Sequence, residues 1–353
     1  MADFRSFHKN QRRPAAPMVA VVDPAAWEPR DVVNVADWAY VLNDHEVQEL
    51  IDAARKLFHN RVSLVSIRKE DFPLETLAPV LADMRRELLD GRGMVMMRRF
   101  PVTELSRSEQ VAAYLGLGAH LGKLVTQNAQ GHVLGHVTDL GVNKNDPNTR
   151  GYITNDEIGF HTDSTDFVGL LCLQTARSGG DSRISNSVSI YNRLLAERPD
   201  LAQALIADFY YTLHGERNDG QSNWYKQPVF SFNDGYFSAC GYSTYVLKAQ
   251  GMPGVPSLTE KQKEALPVYR QLAEDCAFDM EFEQGDIQFL NNHVLLHSRR
   301  SYEDWPEKRR RRHLLRLWLN DFIGRPIPDY RRDGRHGGGV LLKGVTPNVP
   351  FDV

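Results

Sequence analysis

Apolar residues recur at every third or fourth position through "HEVQELIDAARKLF" (45–58), which predicts a helix with one buried face. "LETLAPVLADMRRELLDG" (74–91) repeats that spacing and closes on Gly91, a common helix stop. "SRSEQVAAYLGLGAHLG" (106–122) opens on Ser106 with Glu109 three residues later, so each side chain can cap the other's backbone N–H at a helix start. Between the last two, "GMVMMRRF" (93–100) is too short for a helix and reads as a buried strand.

Past residue 123 the texture changes. Short apolar or alternating runs are separated by turn-rich clusters such as "DLGVNKNDPNTRG", "ARSGGDS", "NDG" and "EQGD", the pattern of an all-β sandwich or barrel. Two helical insertions interrupt it, at about 189–206 and 257–276. Pro267 is expected to kink or divide the second, because proline lacks an N–H and crowds the preceding turn.

Composition narrows the function classes. Hydrophobic residues make up 42% and charged residues 25% of the 353 positions, as in a folded globular protein. The net charge of -3 argues against a nucleic-acid partner, whose binding domains are normally basic, and "KRRRR" (308–312) reads as a solvated turn before a strand. No run approaches the roughly 18 apolar residues of a membrane span, and the N-terminus lacks the apolar core of a signal peptide. Cys172, Cys240 and Cys276 lie far apart and form no CxxC pair, so a reducing compartment and a cytoplasmic protein are expected. Residues 1–17 are polar and basic and end in "RRPAAP", which predicts a flexible arm. The glycine- and proline-rich stretch 331–353 is expected to be an irregular tail.

Candidate chemistry centres on "FHTDSTD" (160–166), where His161 stands two positions before Asp163 and just ahead of the apolar "FVGLLCL". In a strand, residues i and i+2 share a face, so an imidazole and a carboxylate can converge on one point. A non-haem Fe(II) oxygenase needs two histidines and one carboxylate on one face of the metal, with the other positions open. "VLLHSR" delivers His297 after an apolar segment, on a second strand that could complete the set. The spacing alone is a weak signal: "LHGERND" holds His214 and Glu216 in the same pattern, though a polar loop follows them. "HVLGH" places His132 and His136 four apart like a helical zinc pair, but it lacks the glutamate of HExxH and contains Gly135, so a strand or loop is expected. Downstream come Arg312 and Arg316, the latter heading into the apolar "LWL"; an arginine fork aimed inward needs an anionic partner.

The ordered set "FHTDSTD", "LLCLQTARSGGDSRISNS", "GDIQFLNNHVLLHSRR" and "RRHLLRLWL" resembles the TauD/TfdA family of Fe(II)- and 2-oxoglutarate-dependent dioxygenases, including its clavaminate synthase-like members, over about residues 125–320. The resemblance implies a mainly β fold with flanking helices around a double-stranded β-helix, or jelly-roll, core. That core would span about 93–320 of a single catalytic domain at 18–330, whose helical N-terminal part covers about 40–122. It implies His161, Asp163 and His297 as iron ligands, with 2-oxoglutarate and O2 as cosubstrates. Arg312 matches the arginine that holds the distal carboxylate of 2-oxoglutarate, and Ser185 falls where the family places a hydroxyl on the same carboxylate. Arg316 matches a position that meets an anionic substrate group in some members. Asp163 stands where halogenating members carry a small residue, which implies hydroxylation or a related oxidation such as desaturation, with release of succinate and CO2.

A small polar or natural-product substrate is expected. Asn128, Tyr152 and Asn155 are candidates to face the site, as are Trp224 and Tyr225 in "SNWYKQPVF" and the nearby Tyr245. Asn292 and His293 are candidate partners for a metal-bound histidine, whose second ring nitrogen usually needs one. The alternative is a cupin-type protein that binds metal for non-redox chemistry or ligand capture; it would need the three ligands but not Arg312. No nucleic-acid or membrane partner is implied, and a homo-oligomer stays open.

Overall fold

The computed structural model describes residues 12–353 except 60–61, 144–148, 242–243, 322–323 and 333–338. Two sheets form its centre. The larger runs in the order Ala39–Val41, Met94–Arg98, Ile287–Asn291, Phe167–Gln174, His313–Asn320 and Lys123–Leu124, and Leu134–Val137 also pairs with His313–Asn320. The smaller runs Ala277–Met280, Ser182–Asn186, Leu295–Arg299 and Ile158–His161. Apart from the parallel pair at the Ala39–Val41 edge, these ladders are antiparallel, as a jelly roll requires.

Alternation along each strand of the larger sheet divides its side chains between two cores. Val95, Met97, Phe289, Leu315 and Leu317 face the N-terminal helices Asp44–His59, Leu77–Asp90 and Arg107–Leu121. Met94, Met96, Leu290 and Trp318 face inward, toward Ile184 and Leu295 of the smaller sheet. The Arg107–Leu121 helix lies between sheet and helices and is buried almost throughout. Its start is the capping box expected, with Ser106 N–H donating to Glu109 Oε2 (2.8 Å) and Glu109 N–H to Ser106 Oγ.

The expected helical insertion at 189–206 is present, and two other expectations are corrected. The insertion at 189–206 is two helices, Ser187–Glu197 and Pro199–Ile206, because Arg198 leaves the helical region (φ -142°) and Pro199 starts the second. Pro267 does not divide its helix: Glu260–Asp275 is continuous, and the proline sits on the exposed side, where water can serve the carbonyl deprived of its donor. Residues 12–17 are not a loose arm. Arg12 pairs with Asp23 (2.9 Å) and Asp90 (2.8 Å), and the Ala15 N–H donates to the Gly235 carbonyl. The expectation for residues 1–11 lies outside the described residues.

At the other terminus, Gly339–Val340 runs parallel to Thr126–Gln127, and His136 Nε2 meets the Pro350 carbonyl at 3.0 Å. Among the described residues no helix is long and apolar enough to cross a membrane.

Candidate active site

His161 ends its strand and stands directly opposite His297 on the neighbouring one, with ring centroids 4.2 Å apart. Asp163 lies beyond the strand end rather than within it. Its N–H donates to Asn292 Oδ1 (3.1 Å), so the turn between Ile287–Asn291 and Leu295–Arg299 holds the carboxylate where strand geometry was expected to. Gly241 packs against the other side of this segment and donates its N–H to Thr162 Oγ1 (3.0 Å); a Cβ there would meet Thr162 N at 2.5 Å. One ligand atom from each of His161, Asp163 and His297 lies within 4.8 Å of the others, and this is the one such His/Cys/Asp/Glu group among the described residues.

The protonation states suit a divalent metal. Burial, then the neighbouring His161, pushes the His297 imidazole down to about 3, and burial also lowers His161. Both rings are therefore neutral near pH 7. Burial alone would raise Asp163, but Arg316 first, then His297 and His161, hold it below the ordinary carboxylate value. His161 Nδ1 donates to the Gly159 carbonyl (2.9 Å), which leaves Nε2 as the free lone pair, and His297 Nε2 faces Asp163 Oδ2 at 3.8 Å. Two imidazole nitrogens and one carboxylate, from the half-buried His161 and the buried His297 and Asp163 on one side of an open space, fit Fe(II).

That space is a cavity of about 620 Å³ between the sheets, lined by His161, His297 and Ser182 of one and by Leu170, Arg316 and Trp318 of the other. Arg316 shares the inward face of its strand with Leu314 and Trp318. Its Nη1 lies 3.3 Å from Asp163 Oδ1, its Nε donates to Gln127 Oε1 (2.8 Å), and its guanidinium lies over the Tyr152 and Trp318 rings.

Arg312 comes just before the same strand and is also buried against the cavity. Its Nη2 donates to the Gly180 carbonyl (3.2 Å), while Nη1 has no acceptor among the described residues. The "GGD" turn makes room for it. Gly179 and Gly180 take left-handed angles (φ 69° and 78°), and a Cβ on Gly180 would meet Arg312 Nε at 2.9 Å.

Ser185 is on the wrong face. It stands opposite Leu296, whereas Ile184 stands opposite His297, so the alternation of the strand turns Ser185 away from the cavity. Ser182, directly after "GGD", lines the cavity instead and stands opposite Arg299, another cavity residue that sequence reasoning missed. Arg299 was legible in principle, two positions past His297 on one strand face.

The substrate candidates divide. Tyr152, Tyr225 and Tyr245 line the cavity. Asn128, Asn155 and Trp224 do not line it. Asn128 Oδ1 accepts from the Gln130 and His132 N–H groups in a turn, the Asn155 carbonyl accepts from the Tyr302 N–H, and Trp224 Nε1 donates to the Pro253 carbonyl. Asn292 takes its place behind Asp163, but His293 turns to Asp166 (2.8 Å), away from the ligands. The rival pair is taken up elsewhere, with Glu216 ion-paired to Arg150 and the His214 ring 4.3 Å from Tyr245. His136 sits in a strand, as expected, and meets His313 at 2.8 Å.

Comparison with known proteins agrees with this geometry. The family model described as taurine catabolism dioxygenase TauD, TfdA family, matches residues 55–318. FR-33289 synthase of Streptomyces rubellomurinus is 30% identical over 332 residues, covering 92% of this chain and 97% of that protein. An asparagine oxygenase solved with Fe(II), 2S,3S-3-hydroxyasparagine and succinate has the same fold (TM-score 0.61, 18% identity, 80% of this chain and 93% of that one). So does the non-haem iron oxygenase OrfP solved with Fe and alpha-ketoglutaric acid (TM-score 0.59, 15% identity, 86% and 99%). The chain belongs to the TauD/TfdA family and is an Fe(II)- and 2-oxoglutarate-dependent dioxygenase with a jelly-roll core.

Proposed function

We propose that His161, Asp163 and His297 hold the iron, that Arg312 and Ser182 hold the distal carboxylate of 2-oxoglutarate, and that the enzyme hydroxylates, or desaturates, an unactivated C–H bond of a small polar substrate. The observation that carries this reading is the meeting of two elements in one cavity: the three-ligand cluster and a buried arginine whose Nη1 lacks an acceptor among the described residues. When bound, iron with 2-oxoglutarate and O2 supplies the oxidation and releases succinate and CO2.

The residues around that chemistry bind, orient and exclude water. Two neutral imidazoles and one carboxylate hold a divalent ion without competing protons. Asp163 occupies the third ligand position, which leaves no vacancy for halide and favours hydroxylation over halogenation. Arg316, braced by Gln127, offers a cation beside the metal to an anionic group of the substrate, while Tyr152, Tyr225 and Tyr245 supply amphipathic walls. A cupin-type binding protein would leave Arg312 without a role. The three cysteines are buried free thiols, in keeping with a reducing, cytoplasmic setting.

Succinate formation from 2-oxoglutarate in the presence of iron, screened against pooled small amino acids, carboxylates and cell extract, tests the reading. Substrate-stimulated succinate release supports it; no release under any condition with iron bound contradicts it.

A further inference from the structure

Arg299 shares a strand face with His297 and stands directly opposite Ser182. Its guanidinium and that of Arg312 both lie over the Tyr302 ring, 4.9 and 5.2 Å from its centroid. Both side chains are buried and line the cavity. Arg299 Nη2 donates to the backbone carbonyls of Thr154 (2.9 Å), Asp156 and, at the limit of reach, Gly151 (3.5 Å). Its Nε and Nη1, like Arg312 Nη1, have no acceptor among the described residues.

Among the described residues, the hydrogen bonds of these two cations therefore run to carbonyls and not to carboxylates. Adjacent buried cations repel each other and lose hydration, and neutral carbonyls offset that cost only in part. Planar forks with spare N–H groups match a carboxylate, which can accept from both. We propose that Arg299 and Arg312 together clamp the distal carboxylate of 2-oxoglutarate. The inference rests on the reading that Arg312 meets this carboxylate, and it makes Arg299 a second, unassigned determinant of cosubstrate choice. A 2-oxo acid that lacks the distal carboxylate gains nothing from Arg299.

The competing role is structural: through its three carbonyl contacts, Arg299 also props the 150–157 segment that forms one wall of the cavity. Calorimetric titration of Ni(II)-loaded protein with 2-oxoglutarate and with 2-oxobutanoate separates the two. Arg299→Gln is expected to weaken 2-oxoglutarate binding about tenfold or more, the usual loss for a charged hydrogen bond, and 2-oxobutanoate binding less than about threefold. Equal weakening of the two ligands, or an unchanged 2-oxoglutarate affinity, would overturn the proposal. If Arg299→Gln does not fold, Arg299→Lys keeps the cation without the fork and is read by the same comparison: selective weakening of 2-oxoglutarate supports the clamp, and equal or absent weakening overturns it. Arg312→Gln run in parallel distinguishes the failures. Retained 2-oxoglutarate affinity in that variant defeats the Arg312 reading itself, whereas a loss there with none at Arg299 defeats only the clamp.

Discussion

The Arg316 guanidinium lies 3.3 Å from Asp163 Oδ1, so the carboxylate of the candidate metal cluster is ion-paired to a buried cation that lines the same cavity. Burial pushes the Asp163 pKa up, and this pairing is the largest of the charges that hold it below the ordinary carboxylate value instead. The pairing also ties the larger sheet, which carries Arg316, to the segment that carries the ligands.

Arg316→Ala should therefore raise the Asp163 pKa and make metal binding proton-sensitive. Co(II) affinity is expected to fall more at acid pH than at alkaline pH relative to the parent protein. A uniform loss across pH would show that Arg316 acts on Asp163 through position alone.

Asn292→Ala removes the acceptor for the Asp163 N–H while leaving all three ligands in place. Metal affinity is expected to fall by about 10- to 100-fold, the range typical of groups that orient a ligand. The measure is Co(II) titration; an unchanged affinity would mean that the turn holds Asp163 without Asn292.

For Arg312→Ala, the loss of one charged hydrogen-bonding anchor, about 2 kcal/mol, should raise the 2-oxoglutarate requirement by roughly 30-fold. Folding should be retained, because among the described residues the Arg312 side chain donates to a single carbonyl, Gly180. Steady-state kinetics with thermal melting in parallel check both points; an unchanged requirement would move the anchor elsewhere.

Stability of the metal-free protein should fall in mild acid. Burial first, and then a neighbouring imidazole, holds His297 and His313 at about 3, against 6.5 for a free ring. Below 6.5 the unfolded chain binds protons that the folded chain refuses, so stability is lost as pH falls from 6.5 toward 3. Urea midpoints at about pH 7.5, 6.5 and 5.5 should drop across the lower interval; a flat profile contradicts this.

The residues that declared themselves in the sequence did so through pattern. "FHTDSTD" stood out because an apolar strand follows it, and Arg316 because it interrupts an apolar alternation whose inward parity it shares with Trp318. Ser185 failed on that same parity: counting from "GGD" cannot tell which serine faces inward, and pairing with the His297 strand selects Ser182. Asn128 and Trp224 failed because a polar or aromatic side chain near a site in sequence is often spent on its own turn, as the bonds to Gln130 and Pro253 show. Pro267 and residues 12–17 depend on tertiary context, an exposed helix face and the distant partners Asp23 and Asp90, to which local propensity is blind.

Anaerobic protein loaded with Fe(II) and titrated with 2-oxoglutarate tests the iron site most directly. The parent protein should develop a visible charge-transfer band, and His161→Ala and Asp163→Ala should each lose both the band and succinate formation. A colourless parent, or a band and near-normal turnover that survive in either variant, would contradict the assignment of His161, Asp163 and His297 as the iron ligands.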